Sequence, residues 1–223
     1  MTFDSQGRVV ICEMVKPASD ADGGGRSYTV IADSSEGKRP EPLRTMWCSS
    51  RTAACSSRTP GRDRLEPADV DLQFNSVHRI RPNGEVELVV PFEYPNGIAF
   101  SPYESVLYVA NTRPGQYIMA YELNADGDVV GMRHFADMPS EHANNGVPDG
   151  MKVDVEGRVY CTGPGGCWVF ESSGELIGVI ELPEYPANCG WGGEENRTMY
   201  FTSNTSIYSL QMTTPGTRIP VVV

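Results

Sequence analysis

The chain has 223 residues, enough for one sizeable core, and all-β domains of this length are often single. Its 18 basic against 29 acidic residues give a net charge of −11, and no Lys/Arg cluster interleaves with aromatics, which argues against a nucleic-acid partner. No apolar run approaches the length of a membrane span, and the start MTFDSQGRVV lacks the basic and apolar regions of a secretory signal, so a cytoplasmic protein with no membrane contact is expected.

In chain order, TFDSQGRVVICE has the pattern of two strands about a Gln6-Gly7 turn, with Glu13 closing the second, and SYTVIAD supplies a later strand. Between them MVKPASDADGGGR is a loop, made flexible by Gly23, Gly24 and Gly25. The segment 40–61, PEPLRTMWCSSRTAACSSRTPG, is built of Ser, Arg, Thr and Ala without alternation. Low hydrophobicity without a pattern predicts an aberrant or disordered segment with no regular hairpin, and Arg44, Arg51 and Arg58 resist burial. Strand patterning returns at FNSVHRIRPNGEVELVV.

From Pro95 the chain spells PNGIAFSPYESVLYVANT, two short apolar runs about a Ser101-Pro102 break, which reads as a β-hairpin. The same form recurs at Pro148 as PDGMKVDVEGRVYCTG and, more loosely, at Ala187 as ANCGWGGEENRTMYFTS. Further strand-like runs follow each hairpin: Tyr117 to Leu123 with a turn at Asp126-Gly127, and Cys167 to Phe170 with a turn at Ser173-Gly174. Openings at Pro95, Pro148 and Ala187 give periods of 53 and 39 residues, which with four strands per unit point to propeller blades rather than helical solenoids. Antiparallel first and second strands place each opening residue at the same point beside a central channel, so the oxygen-bearing side chains of Asn96, Asp149 and Asn188 converge there. Glu13, Asn111 and Thr162 end second strands, and each is either a group at the channel mouth or a solvated strand end.

Other chemistries find little support. Cys12, Cys48, Cys55, Cys161, Cys167 and Cys189 show no CxxC spacing, and a thiol in a strand is a small buried hydrophobe. His78, His134 and His142 lack the spacing of a metal set or a triad, and neither Ser101 nor Ser172-Ser173-Gly174 forms a nucleophile elbow.

PNGIAFSP with LYVANT, VPDGMKVDVEGRVYCTGPGGCWVFESSGELIGVIELPE, and NCGWGG with MYFTSNTSIYSL resemble the gluconolactonase, regucalcin (senescence marker protein) and lactonase family of six-bladed β-propellers. The resemblance covers nearly everything from Phe74 to Leu210 and implies a single all-β domain over residues 1–223. It implies a divalent metal in the channel, with Asn96 and Asp149 as ligands, and hydrolysis of a cyclic ester. Amide and carboxylate oxygens are hard donors suited to Ca²⁺ first, with Mg²⁺, Mn²⁺ or Zn²⁺ as alternatives. Asp149 is then also the catalytic carboxylate, and Asn188, Asn111 and Glu13 are the candidate substrate-side groups. An inactive remnant of the fold, or a propeller serving as a protein-binding scaffold, stands beside the lactonase reading.

The resemblance also sets two expectations about gaps. In the family a whole blade with a metal-binding Glu precedes the point matching Thr2, so about five blade units in an incomplete ring are expected. At 40–61 the family has an opening of the Pro-Asn-Asp type. The single codons of Met46 and Trp47, followed by Cys48, force Val-Val in the reading frame one base earlier, and Leu43 to Thr45 can encode Pro-Asn-Asp in it. A local frameshift over this segment is the corresponding hypothesis.

Overall fold

The structure, a computed structural model, describes residues 2–3, 9–10, 43–48, 53–57, 75–81, 85–139 and 146–217. The chain forms two compact units, Met1–Phe92 with Val221–Val223, and Glu93–Pro220.

In the first unit, β1 (Thr2–Phe3) pairs antiparallel with β2 (Val9–Val10). A four-stranded antiparallel sheet follows in the order β3 (Leu43–Cys48), β4 (Ala53–Ser57), β5 (Ser76–Ile80) and β6 (Val86–Pro91). β5 lies between two partners and is buried along its whole length, whereas β6 at the edge mixes buried and exposed positions. Glu87 on β6 receives Arg79 Nη2 at 2.7 Å and Arg81 Nε at 2.6 Å, and these bonds, Arg81's first, hold its carboxyl below the usual range.

The hairpin of β3 and β4 differs from the expectation for 40–61. Met46 faces Cys55, Trp47 faces Ala54, and Cys55 in turn faces His78 of β5. The segment lacks apolar alternation, but neither strand contains a Pro or Gly, so every backbone N–H and C=O can join the ladder. Hydrogen-bonded partners on the neighbouring strand supply what the side-chain pattern omits.

The second unit holds the repeats. One sheet runs β7 (Pro95–Phe100), β8 (Val106–Asn111), β9 (Tyr117–Leu123) and β10 (Val129–Asp137), and the next runs β11 (Met151–Val153), β12 (Val159–Gly163), β13 (Gly166–Phe170) and β14 (Leu176–Glu181). The last described sheet has three strands, β15 (Pro186–Gly192), β16 (Thr198–Ser203) and β17 (Ile207–Gln211). Each is an antiparallel meander, as the repeats require. The turns form where the sequence places them: Asn124 Oδ1 accepts from the amides of Asp126 and Asp128 at 2.9 and 2.8 Å, and Gly127 takes φ 78°.

The core of this unit lies between successive sheets. Tyr108 of β8 packs edge-on to Phe135 of β10 at 4.9 Å, Phe135 packs on Phe170 of β13 at 5.9 Å, and Phe170 stacks on Trp168 at 6.1 Å. Asp154, fully buried after β11, accepts the amides of Glu156 and Arg158 at 2.9 and 3.0 Å, Arg158 Nε at 2.8 Å and the Tyr160 hydroxyl at 3.1 Å. Arg158 continues to Thr214, and the 214–217 segment is fixed on β11 through Asp154 facing Gly216 and Thr217 N bonding Val153 O at 3.0 Å.

His78 makes the first unit sensitive to mild acid. Burial in β5 lowers its pKa, so the folded chain keeps it neutral while the unfolded chain takes up a proton near the ordinary value of about 6.5. Stability from this residue is present above that value and is lost as pH falls through the window between it and the lower folded value. Urea midpoints measured at pH 7.5 and 5.5 should fall with acid in the wild type, and His78→Phe should flatten that slope.

Candidate active site

Three strand openings meet in the second unit. At the start of β7, Pro95 faces Asn111, and the register then slips between Pro95 and Ile98, so Asn96 and Gly97 form a bulge that turns their side-chain positions out of the regular ladder. β15 carries the same irregularity between Pro186 and Asn188. Between these two lies Pro148-Asp149-Gly150, just before β11.

The central opening is fastened on both sides by short contacts. Asp149 N donates to Thr162 O at 3.0 Å, Gly150 N to Ala187 O at 3.1 Å, and Thr162 N to Gly150 O at 2.9 Å. The Thr162 hydroxyl, fully buried, reaches both Gly150 O and Ala187 O at 3.2 Å. Asn96 Nδ2 reaches Pro148 O at 3.5 Å. A Cβ on Gly97 would overlap the carbonyl oxygen of Asp149, and one on Gly150 would overlap the side-chain oxygen of Asn188. The glycines of Pro-Asn-Gly and Pro-Asp-Gly are thus required by the neighbouring opening, which leaves no space for a side chain.

The Asn96 opening thus touches Pro148-Asp149, and Gly150 touches Asn188. Asn96 and Asp149 are half-buried, and Asn188 is exposed with its Oδ1 accepting the Cys189 amide at 2.9 Å. Asn111 has a different place from a solvated strand end. It is fully buried, its Oδ1 accepts Tyr94 N at 2.7 Å, and its Nδ2 donates to Arg113 O at 3.1 Å and Gly115 O at 2.7 Å. Its amide therefore shapes the loop after β8. Thr162 is likewise a buried fastener. Glu13 and His142 lie outside the described residues. His134 pairs with Asp137 at 3.0 Å on β10, and His78 belongs to the first unit.

Two tyrosines escaped the sequence reading. Tyr185 sets its hydroxyl 3.4 Å from both the amide and the carbonyl of Val147, and its pKa is raised by burial and further by the Asp149 carboxylate. Tyr94 stands at the matching place before β7, under the Arg113 guanidinium at 4.9 Å. The signal was available: Glu-Tyr-Pro precedes both openings, at 93–95 and 184–186.

Among the described residues no trio of His, Cys, Asp and Glu is gathered for an ion. The donors at the openings are amide oxygens and one carboxylate, a set that fits a hard divalent cation in type. Cys161, Cys167 and Cys189 are buried free thiols, with Cys167 and Cys189 packed in the cluster beneath β15.

Antiparallel meanders whose first strands open side by side are the blades of a β-propeller-type fold. Residues 52–205, more than half of the chain, match the family described as SMP-30/Gluconolactonase/LRE-like region, and the chain belongs to that family. It is 30% identical over 200 residues to a gluconolactonase of Zymomonas mobilis, covering 86% of this chain and 56% of that protein. Among solved structures it resembles a gluconolactonase from Xanthomonas campestris, with a TM-score of 0.79 and 30% identity, over 96% of this chain and 70% of that one. A regucalcin from Agrobacterium tumefaciens, described as calcium-binding, shares the fold at a TM-score of 0.63 and 19% identity, over 83% of this chain and 65% of its own. The chain thus spans little more than half the length of the Zymomonas relative.

The crowding at the openings can be tested directly. Gly97→Ala forces a methyl against backbone, which cannot swing away, and should cost about 1–3 kcal/mol in urea denaturation. Gly178→Ala, where a Cβ meets open space, is the control and should stay within about 0.5 kcal/mol.

Proposed function

We propose that this chain hydrolyses a sugar lactone, with Asn96 and Asp149 as ligands of a divalent ion, Ca²⁺ first among the candidates. The observation that carries the reading is the meeting of the Asn96 and Asp149 openings in a member of the SMP-30/gluconolactonase family. The gluconolactonase relatives supply the substrate class.

Each residue has a role that follows from its atoms. Asn96 offers an amide oxygen and Asp149 a carboxylate oxygen to the ion, which when bound supplies positive charge for the lactone carbonyl. The second oxygen of Asp149 accepts a proton from the water that attacks that carbonyl. As the carbon–ring-oxygen bond breaks, Asp149 gives that proton to the leaving oxygen, and the product is the open-chain hydroxy acid. Asn188, exposed beside Gly150, offers its Nδ2 to a substrate hydroxyl while its Oδ1 holds the Cys189 amide. Asn111 acts through the loop it fastens.

Charge separates the two ligands. Asp149→Asn keeps the shape but removes the negative charge, so it should weaken Ca²⁺ binding and lower turnover by about a hundredfold or more, the lower end of general-base contributions. Asn96→Ala should weaken ion binding with a smaller loss of turnover once the ion is saturating. Acid release from gluconolactone above the spontaneous rate, with added Ca²⁺ and then with chelator, measures turnover, and calorimetry measures ion binding. Undiminished hydrolysis with chelator present would refute the metal reading. Ion binding without turnover would favour the inactive or scaffold reading.

A further inference from the structure

We infer that Arg113 forms a cationic subsite at the edge of the Asn96 opening, selecting lactones that carry an anionic group such as phosphate, sulfonate or carboxylate away from the ring carbonyl. This rests on the lactonase reading and adds the substrate's charge to it.

The position of Arg113 is built rather than incidental. β8 ends with Asn111 facing Pro95, and Thr112 N donates to Tyr94 O at 3.0 Å, so the loop after β8 is held against the residues just before Asn96. Asn111, fully buried, fastens that loop from within through its bonds to Arg113 O and Gly115 O at 3.1 and 2.7 Å. The guanidinium then lies over the Tyr94 ring at 4.9 Å, a stack that restricts the side chain and leaves its N–H edges for a ligand.

Charge around it is arranged consistently. Among the described residues Arg113 has no carboxylate partner, whereas Arg79, Arg81, Arg158 and Arg197 each have one, and Arg133, which also lies over a ring, has its guanidinium bonded to Ser172 O and Ser173 O. Glu93, the carboxylate adjoining Tyr94 in sequence, receives the Tyr117 hydroxyl at 3.2 Å and Asn111 Nδ2 at 3.4 Å. Burial, and then the Glu93 charge, push Tyr117 up to about 12, so it remains a donor to Glu93 at neutral pH. A planar guanidinium held on an aromatic face suits a fork of oxygens, which phosphate, sulfonate and carboxylate all present.

The test uses the product acids, so that it does not depend on turnover. Calorimetry with the full chain, Ca²⁺ present, should show 6-phosphogluconate binding about tenfold tighter than gluconate at low salt, the difference shrinking as salt is raised. Arg113→Gln should remove that preference and Arg113→Lys should restore part of it. The side chain is exposed, so folding should be intact, which thermal melts check. Equal affinity for the two acids in the wild type, no measurable binding of the phosphorylated acid, or a preference that survives Arg113→Gln overturns the proposal. Failure of the lactonase reading is a separate result: the binding preference would persist while no lactone is turned over.

Discussion

The second unit depends on the close approach of consecutive strand openings. Asn96-Gly97 abuts Pro148-Asp149, and Gly150 abuts Asn188, at separations that leave no room for a β-carbon on either glycine. Sheet hydrogen bonding has given way there to bonds between neighbours: Gly150 N to Ala187 O, and the Thr162 hydroxyl shared between Gly150 O and Ala187 O. This crowding sets the Asn96 opening against the Asp149 opening, and the Asp149 opening against Asn188. It also explains why each glycine stands directly after its oxygen-bearing residue at 96–97 and 149–150, since the residue that faces the site and the residue that must be small occupy adjacent backbone positions.

Support for the openings comes from the opposite ends of the same strands. Asp154 is a buried carboxylate with four donors, so its desolvation is offset by bonds rather than left open. Loss of one partner in such an arrangement costs about 3–5 kcal/mol, comparable with much of a domain's net stability. Through Arg158 and Thr214 it also fixes the 214–217 segment beside β11, the strand that Asp149 precedes. The aromatic series Tyr108, Phe135, Phe170 and Trp168 packs in one core between the two four-stranded sheets of this unit.

Much of this was legible in the sequence because it repeats. Strand β9 runs from Tyr117 to Leu123 as expected, the turns at Gly127 and Gly174 adopt positive φ, and the opening at Asn96 lies against that at Asp149, which in turn lies against Asn188. What escaped depends on partners that no local pattern reports. Leu43–Cys48 and Ala53–Ser57 lack alternation yet pair, since a ladder needs backbone groups and an absence of Pro more than it needs apolar side chains. Asn111 reads as a strand-end amide and is in fact enclosed, its capacity consumed by carbonyls of the loop that follows. Tyr94 and Tyr185 each precede the repeated opening, and Val147 stands before the opening at Pro148, so the recurrence does not single them out.

The overall charge of −11 bears on how such a site would discriminate among substrates. A diffuse negative field repels an anionic lactone during approach, but at physiological salt it is screened beyond about 8 Å. Within that distance the charges that count are those at the openings: the Asp149 carboxylate, the ion it is proposed to hold, Glu93 bound by Tyr117 and Asn111, and the Arg113 guanidinium on Tyr94. A bound divalent cation would outweigh Asp149, leaving the immediate surroundings of the carbonyl positive, while Arg113 extends positive charge to one side of it. Global acidity and selection of an acidic ligand are then compatible, because encounter rate reflects the whole surface whereas binding preference reflects groups within a Debye length of the substrate.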